Sequence, residues 1–397
     1  MKKKIPLLAK LIIAIALGYL IGWLTMGIAP ENNIIVKILV TFNGIFGNFL
    51  NFAIPLIIIG FIVPGIADLG TGAGKVLGVT AGFAYLSTIC AGSLAYVTAS
   101  LLFPKMLSGQ ISIESTEKAI EPFVTIDMPP IMGVMTALIL AFVMGLGIAV
   151  VKGVNLQKCF VEFQDIVSGL IESIIIPLLP IHVMGIFANM AYVGTAAAII
   201  GTFIKVFGVI IALHCIVLLL QYTVAGGVAG KNPFGLIKTM LPAYATAIGT
   251  QSSAATIPVT LKQTKLNGVS AEIADFAIPL CATIHLSGST ITLTCCSMAI
   301  MLLEGMPTNF GIMFPFILML GVTMVAAPGV PGGAVMAALG LLQSMLGFSD
   351  AQASLMIALY LAQDSFGTAC NVTGDGAIAI LVDAIFGPKK SKAKQAQ

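Results

Sequence analysis

Apolar runs separated by short polar breaks make up almost the whole chain. They lie near 7–28, 35–66, 76–104, 129–152, 166–194 and 196–229. Runs of this length suit helices that cross a hydrocarbon layer about 30 Å thick. One long polar stretch, 105–128, interrupts them with Lys105, Glu114, Glu117, Lys118, Glu121 and Asp127. After about residue 230 the texture changes. LPAYATAIGTQSSAATIPVT, AIPLCATIHLSGSTITLT and VAAPGVPGGAVMAAL are apolar segments broken by Gly, Pro, Ser and Thr. Lipid cannot satisfy free backbone groups, so such breaks must be buried in protein or line a cavity. The order is a broken hairpin, a broken helix, a second broken hairpin and a polar-striped helix. This is a two-fold repeat of organisation, and paired breaks of this kind point to a binding site near the bilayer midplane.

The last apolar segment carries Asp364, Thr368, Asn371 and Asp375 at offsets 0, 4, 7 and 11. At about 100° per residue they share one helical stripe about 16 Å long. An ionised carboxylate near the bilayer centre costs at least about 2.5–3.5 kcal/mol on insertion scales. Two on one line imply a cationic visitor.

Composition agrees with a polytopic membrane protein: 58% hydrophobic, 9% charged, mean hydropathy +1.06. Segment count suggests about eight spanning helices plus shorter broken pieces. Lys2, Lys3 and Lys4 precede the first segment, Leu7 to Trp23, and no A-x-A cleavage site follows it. It reads as a spanning helix with a cytoplasmic start. The tail lysines 389, 390, 392 and 394 place the other end on the same side, so the number of crossings is even. The seven cysteines show no metal spacing and read as small apolar residues. All nineteen basic residues are lysine, and arginine is absent.

Four motifs then carry a family resemblance. ATAIGTQSSAATIP (245–258) resembles the serine-rich tip of re-entrant hairpin 1 in the dicarboxylate/amino acid:cation symporters, the glutamate transporter homologues. APGVPGGA (327–334) resembles the tip of hairpin 2. CATIHLSGS (281–289) stands where the family has an unwound Asn-Met-Asp-Gly-Thr motif, and DSFGTACNVTGD (364–375) is similar to its final-helix motif. The motifs keep the family's order across essentially the whole chain. The resemblance implies an all-α polytopic elevator transporter with eight transmembrane helices, two re-entrant hairpins and inverted repeats. Its domains would be 1–74 (scaffold helices 1–2), 75–104 (transport-domain helix 3), 105–194 (polar loop and scaffold helices 4–5), 195–388 (transport domain) and 389–397 (basic cytoplasmic tail). It also implies a homotrimer in the cell (inner) membrane and no catalysis.

Asp364 has no lysine within its segment and reads as the acceptor for a substrate ammonium, as the family's matching aspartate does. Asn371 has an amide that can donate to a substrate carboxylate; a buried asparagine tying a neighbouring helix is the alternative. Asp375, following an expected helix break at Gly374, reads as part of an oxygen cage for Na⁺. By resemblance its companions are carbonyls of Cys281, His285 and Asn371. Ser252 and Ser253 sit at the hairpin 1 turn, where N–H groups and hydroxyls can hold a carboxylate. Val330, Gly332 and Gly333 form the hairpin 2 tip. Carbonyls near Met324, Val325 and Ala327, with Thr283, match a second sodium site.

Two departures narrow this picture. Family members that carry acidic amino acids use an arginine on the final helix or at hairpin 1, and Gly367 and Gln251 stand at those positions here. A second substrate carboxylate would be buried without a strong partner. Gly367 leaves room, and Gln251, Ser289 and Thr368 can hydrogen-bond a small polar side chain. QDS (363–365) resembles the serine/threonine branch, so the expected cargo is serine, threonine or alanine. The third sodium site maps to Tyr85, Thr88, Ile89, His285 and Ser287, where the charged ligand has become serine. One or two sodium ions are expected, with that site lost. A proton carried by His285 and an acidic or dicarboxylate cargo are the alternatives. A channel is the reading from another class, and the two hairpins would plug it. Asp364 and Asp375, about three turns apart, are too distant for a catalytic dyad. His182 and His214, in apolar helices, are not assigned to the site, and neither are Glu162, Asp165 or Glu172 at the start of the fifth helix.

Overall fold

A computed structural model describes residues 7–70, 74–107, 120–324, 327 and 331–387. Lys2, Lys3 and Lys4, much of the polar loop, Val325, Val330 and the tail 389–397 lie outside the described residues. Among the described residues the chain is all-helical, with no strand. Its helices are α1 (Leu7–Thr25), α2 (Ile34–Gly70), α3 (Gly74–Met106), α4 (Val134–Val151), α5 (Val154–Leu170), α6 (Ile176–Val193), α7 (Ala196–Ala229), α8 (Pro233–Thr250), α9 (Ser253–Leu266), α10 (Ala271–Ile284), α11 (Ser287–Leu303), α12 (Phe310–Met324), α13 (Gly333–Leu346) and α14 (Asp350–Phe386). Among the described residues six spans are long and apolar enough to cross a membrane, and α1, α4, α12 and α13 are shorter apolar helices.

The amphipathic α5 runs into the apolar α6 through one π-helical turn, Ile171–Ile175. Pro177 and Pro180 follow that turn. A proline lacks the N–H of a regular helix bond, and a wider turn absorbs the loss. The expected breaks are present at three places. α8 and α9 form a hairpin turning at Gln251 and Ser252. α10 stops at Ile284, and α11 restarts at Ser287 after two non-helical residues. α12 and α13 are separate helices on either side of residue 330. The expected break at Gly374 does not exist, because α14 runs unbroken for 37 residues. A glycine inside a helix costs only about 1 kcal/mol, and here its missing side chain serves close packing.

Two packing groups emerge. α1 lies along α6 and α2 along α4, α5 and α6; α3 and α7–α11 pack around α14, with α12 against α3 and α13. α11 and α14 are buried over nearly their whole length. A polar cluster joins the groups: Gln343 of α13 donates to Asn51 of α2 (3.1 Å), and both donate to Asp350 at the start of α14 (3.0 Å each).

Helices without a hydrophobic drive between them pack through small residues, and α1 meets α6 this way. A Cβ at Gly22 would stand 2.1 Å from the Ala188 carbonyl oxygen, whereas one at Gly201 on α7 meets nothing within 4 Å. Gly22→Ala is therefore expected to destabilise by ~1–3 kcal/mol and lower the melting temperature in detergent. Gly201→Ala should leave it unchanged or raise it; equal effects would refute this account of the α1–α6 crossing.

Candidate functional site

The polar face of α14 meets each break in the surrounding helices. The first four N–H groups of a helix lack internal partners, and in lipid that deficit is costly. α11 begins after Leu286, which has no capping side chain. Its first N–H groups are instead capped from α14: Asn371 Oδ1 accepts from Gly288 N (2.8 Å) and Ser289 N (3.3 Å). Asn371 Nδ2 donates to Ser289 Oγ (2.9 Å), which also accepts from the Tyr360 hydroxyl (2.8 Å). Of the two readings of Asn371, the helix-tying one describes its bonds.

Asp364 does the same for α13. Its Oδ2 accepts from Gly332 N (2.7 Å), and the Thr368 hydroxyl donates to Oδ1 (3.4 Å). Gly332 has φ +76°, a left-handed value that suits glycine. A carboxylate at this N-terminus also meets the positive end of the helix dipole. At hairpin 1, Gln251 takes a left-handed φ of 54° and donates from Nε2 to Ser365 Oγ (2.8 Å). The Ser252 hydroxyl accepts from Ala255 N (3.2 Å) and so caps α9, while Ser253 is the buried first residue of that helix. Tips of both hairpins and the first turn of α11 thus converge on the 364–371 stretch.

Asp375 faces the α10–α11 break. Its Oδ1 lies 2.9 Å from His285 Nδ1, and its Oδ2 is buried without a partner among the described residues. As a carboxylate oxygen can only accept, Nδ1 carries the donated proton. On the other side of the ring, Nε2 lies 3.0 Å from Ser87 Oγ of α3. Gln221 Nε2 of α7 donates to Ser87 Oγ (2.8 Å) and Ser287 Oγ (3.3 Å). A Cβ at Gly374 would stand 2.6 Å from Gln221 Oε1 and 2.7 Å from His285 Cε1. That close approach is the physical reason for the glycine.

For a sodium ion, the hard oxygen Asp375 Oδ2 fits. The remainder of the expected cage is altered. With α14 unbroken, no carbonyl is freed at Asn371, and the Cys281 carbonyl accepts from His285 N (2.9 Å). At the second expected site, Met324 O accepts from Ala327 N (3.2 Å) and Val325 lies outside the described residues. Thr283 is exposed, with its hydroxyl turned to Leu280 O (2.8 Å). Of the third expected set, Ser287 shares the Gln221 amide with His285, whereas the α3 members turn elsewhere. The Tyr85 hydroxyl donates to Leu318 O (3.3 Å), Thr88 to Ala84 O (2.9 Å), and Tyr85 and Ile89 flank Gly321 of α12. Ser87, one position away, is the residue of α3 that reaches the histidine. A Cβ at Gly367 would meet Gly288, Ser289 and Thr292 of α11 at 3.7–3.8 Å, ordinary van der Waals contact, so a first side-chain carbon fits there.

Sequence reading missed Ser87, Gln221, Tyr360 and His214. Gln221 carried a signal, as an amide inside the long apolar run 196–229. His214 is buried and lies 3.1 Å from Gly288 O through Nε2, which must donate. Gly288 thus has its N–H held by Asn371 and its carbonyl by His214. His182 lies away from this site, with Nδ1 3.1 Å from Asn43 Oδ1.

A family model described as the sodium:dicarboxylate symporter family matches residues 7–385. A serine/threonine transporter SstT of Acinetobacter baylyi is 24% identical over 400 residues, covering 96% of this chain and 97% of its own. A serine/threonine transporter SstT of Enterococcus faecalis is 26% identical over 396 residues, covering 94% and 90%.

The capping role of Asn371 separates two substitutions. Asn371→Ala strands two buried N–H groups, so a loss of ~1–3 kcal/mol is expected. Thr373→Val on the same helix removes only a buried hydroxyl that has no partner among the described residues. Thermal unfolding should therefore rank wild type and Thr373→Val together, well above Asn371→Ala. A ranking with the two variants alike would remove the capping account.

Proposed function

The chain belongs to the sodium:dicarboxylate symporter family, and on that premise we propose that it is a Na⁺-coupled symporter of a small neutral amino acid, serine or threonine foremost. The observation that carries this reading is Asp364: a buried carboxylate between the tips of two helical hairpins, in a chain without arginine. A substrate ammonium would take the place of the Gly332 N–H as its principal partner. The substrate carboxylate would lie toward the N-terminal turns of α9 and α11, where Ser252, Ser253 and Ser289 stand. Gln251 and Thr368 would face a hydroxyl-bearing side chain, with Val330 and Gly332 closing over it. The chain has no arginine to pair a second carboxylate, and the glycine at 367 has no side chain to meet one. The relatives named as serine/threonine transporters support the same cargo.

Sodium, when bound, would supply positive charge beside Asp375 Oδ2. Met324, Val325, Ala327 and Thr283 would form a second site after rearrangement of Thr283. A third site lacks a charged ligand, since Ser287 offers only a hydroxyl and His285 already bonds Asp375 and Ser87. α3 and α7–α14 would move as the transport domain of an elevator. α1, α2 and α4–α6 would form the scaffold of a homotrimer in the inner membrane, with eight spanning helices, two re-entrant hairpins and both termini cytoplasmic. The division into two packing groups supports that split.

Uptake into liposomes, with Na⁺ and pH gradients imposed separately, tests the reading. Serine, threonine or alanine should accumulate under an inward Na⁺ gradient. Strong aspartate or dicarboxylate uptake would overturn the neutral cargo. Asp364→Asn should cost about 2–5 kcal/mol of substrate binding, raising Kd at least about thirtyfold. Reversal-potential measurements should give fewer than three Na⁺ per substrate, and a value of three would restore the third site.

A further inference from the structure

Outside the site, a cavity of about 330 Å³ opens between α3, α7 and α14. Its lining is almost wholly apolar, including Phe83, Leu94, Val217 and Ile378. Its mouth is continuous with the lipid-facing surface, where Leu86, Leu220 and Val224 are more than half exposed. Ligand cavities of this size are characteristically apolar with a few placed polar groups. Here those groups are Ser87 and Gln221. They are the two side chains that hold the far side of the His285 ring, and through it Asp375. One wall therefore separates a hydrocarbon-shaped space from the buried polar network.

We propose that this cavity is a binding site for the acyl chain of a bilayer lipid, and that its occupancy supports cation binding at Asp375. A hydrocarbon chain matches the lining, the membrane-spanning position and the opening toward lipid. With the chain seated, Gln221 is kept against Ser87 and Ser287. With the cavity vacant, the Gln221 side chain has space to swing outward, releasing Ser87 and the Nε2 side of His285. The occupancy claim stands alone, whereas the coupling claim rests on the Na⁺-symport reading.

Two measurements separate these claims. The full chain is reconstituted in phosphatidylethanolamine vesicles carrying a trace of the same lipid with a diazirine in its acyl chain. Photo-crosslinks should concentrate on 83–94, 217–224 and 377–381. A density no greater there than around Leu101 or Ile204 overturns the site. The second measurement uses Cys90, which lines the cavity. With Cys159→Ser and Cys215→Ser, Cys90 is the one exposed thiol among the described residues. A decyl methanethiosulfonate adduct, which fills the cavity, should lower the half-saturating Na⁺ concentration for uptake about fivefold relative to a hydroxyethyl adduct, an ordinary size for coupling between sites. Equal Na⁺ dependence of the two adducts overturns the coupling. Uptake indifferent to Na⁺ in both adducts, with crosslinks concentrated as expected, overturns the symport reading and the coupling while the lipid site stands.

Discussion

A helix that ends inside a membrane leaves polar backbone groups where no water can reach them, and this molecule gathers several such ends around one helix. α14 supplies the missing partners. Asn371 caps α11, Asp364 caps α13, Ser365 receives the Gln251 turn, and Asp375 holds the histidine at the α10–α11 break. Because one unbroken helix carries all four, the breaks are held in fixed relation to one another. Polar groups that would be a liability in lipid become a scaffold for irregular backbone, and irregular backbone is where ligand-binding N–H and C=O groups can be presented.

The same bonds give each residue two tasks. Asp364 completes the α13 N-terminus in the structure described here, so a cationic ligand would compete with a backbone N–H for the same oxygen. Ser289 Oγ already accepts from Tyr360 and Asn371, which leaves its own proton to be donated. His285 bridges Asp375 and Ser87, so the neighbourhood of the unpartnered Asp375 Oδ2 is set by residues from α3, α7, α10 and α14 together.

The fold was legible because its cues are periodic or compositional: long apolar runs, Gly/Pro/Ser interruptions, and a stripe at helical spacing. α14 itself was misread at Gly374, since a glycine that permits close packing and one that breaks a helix look alike in sequence. Around the site, polar residues on α14 were found because their spacing aligns them. Ser87 was missed by one position, as register between two helices depends on packing that spacing along one helix does not encode. Gln221 and His214 each lie far along the chain from their partners. Their roles come from α7 lying beside α3 and α11, contacts that no local pattern in 196–229 reveals.

The contact between Gly367 and α11 bears on how such a protein could change its diet. If specificity depended only on which side chain occupies position 367, a cationic residue there would open the way to acidic cargo. A first side-chain carbon at 367 would rest on Gly288, Ser289 and Thr292 at 3.7–3.8 Å, ordinary van der Waals contact that nothing need move to allow. Gly288 is the stringent partner: its own Cβ would stand 2.5 Å from the Gly367 carbonyl oxygen, and both its backbone groups are held by Asn371 and His214. Position 367 can therefore vary while the glycine facing it cannot, so new cargo chemistry has to enter from the α14 side of this contact.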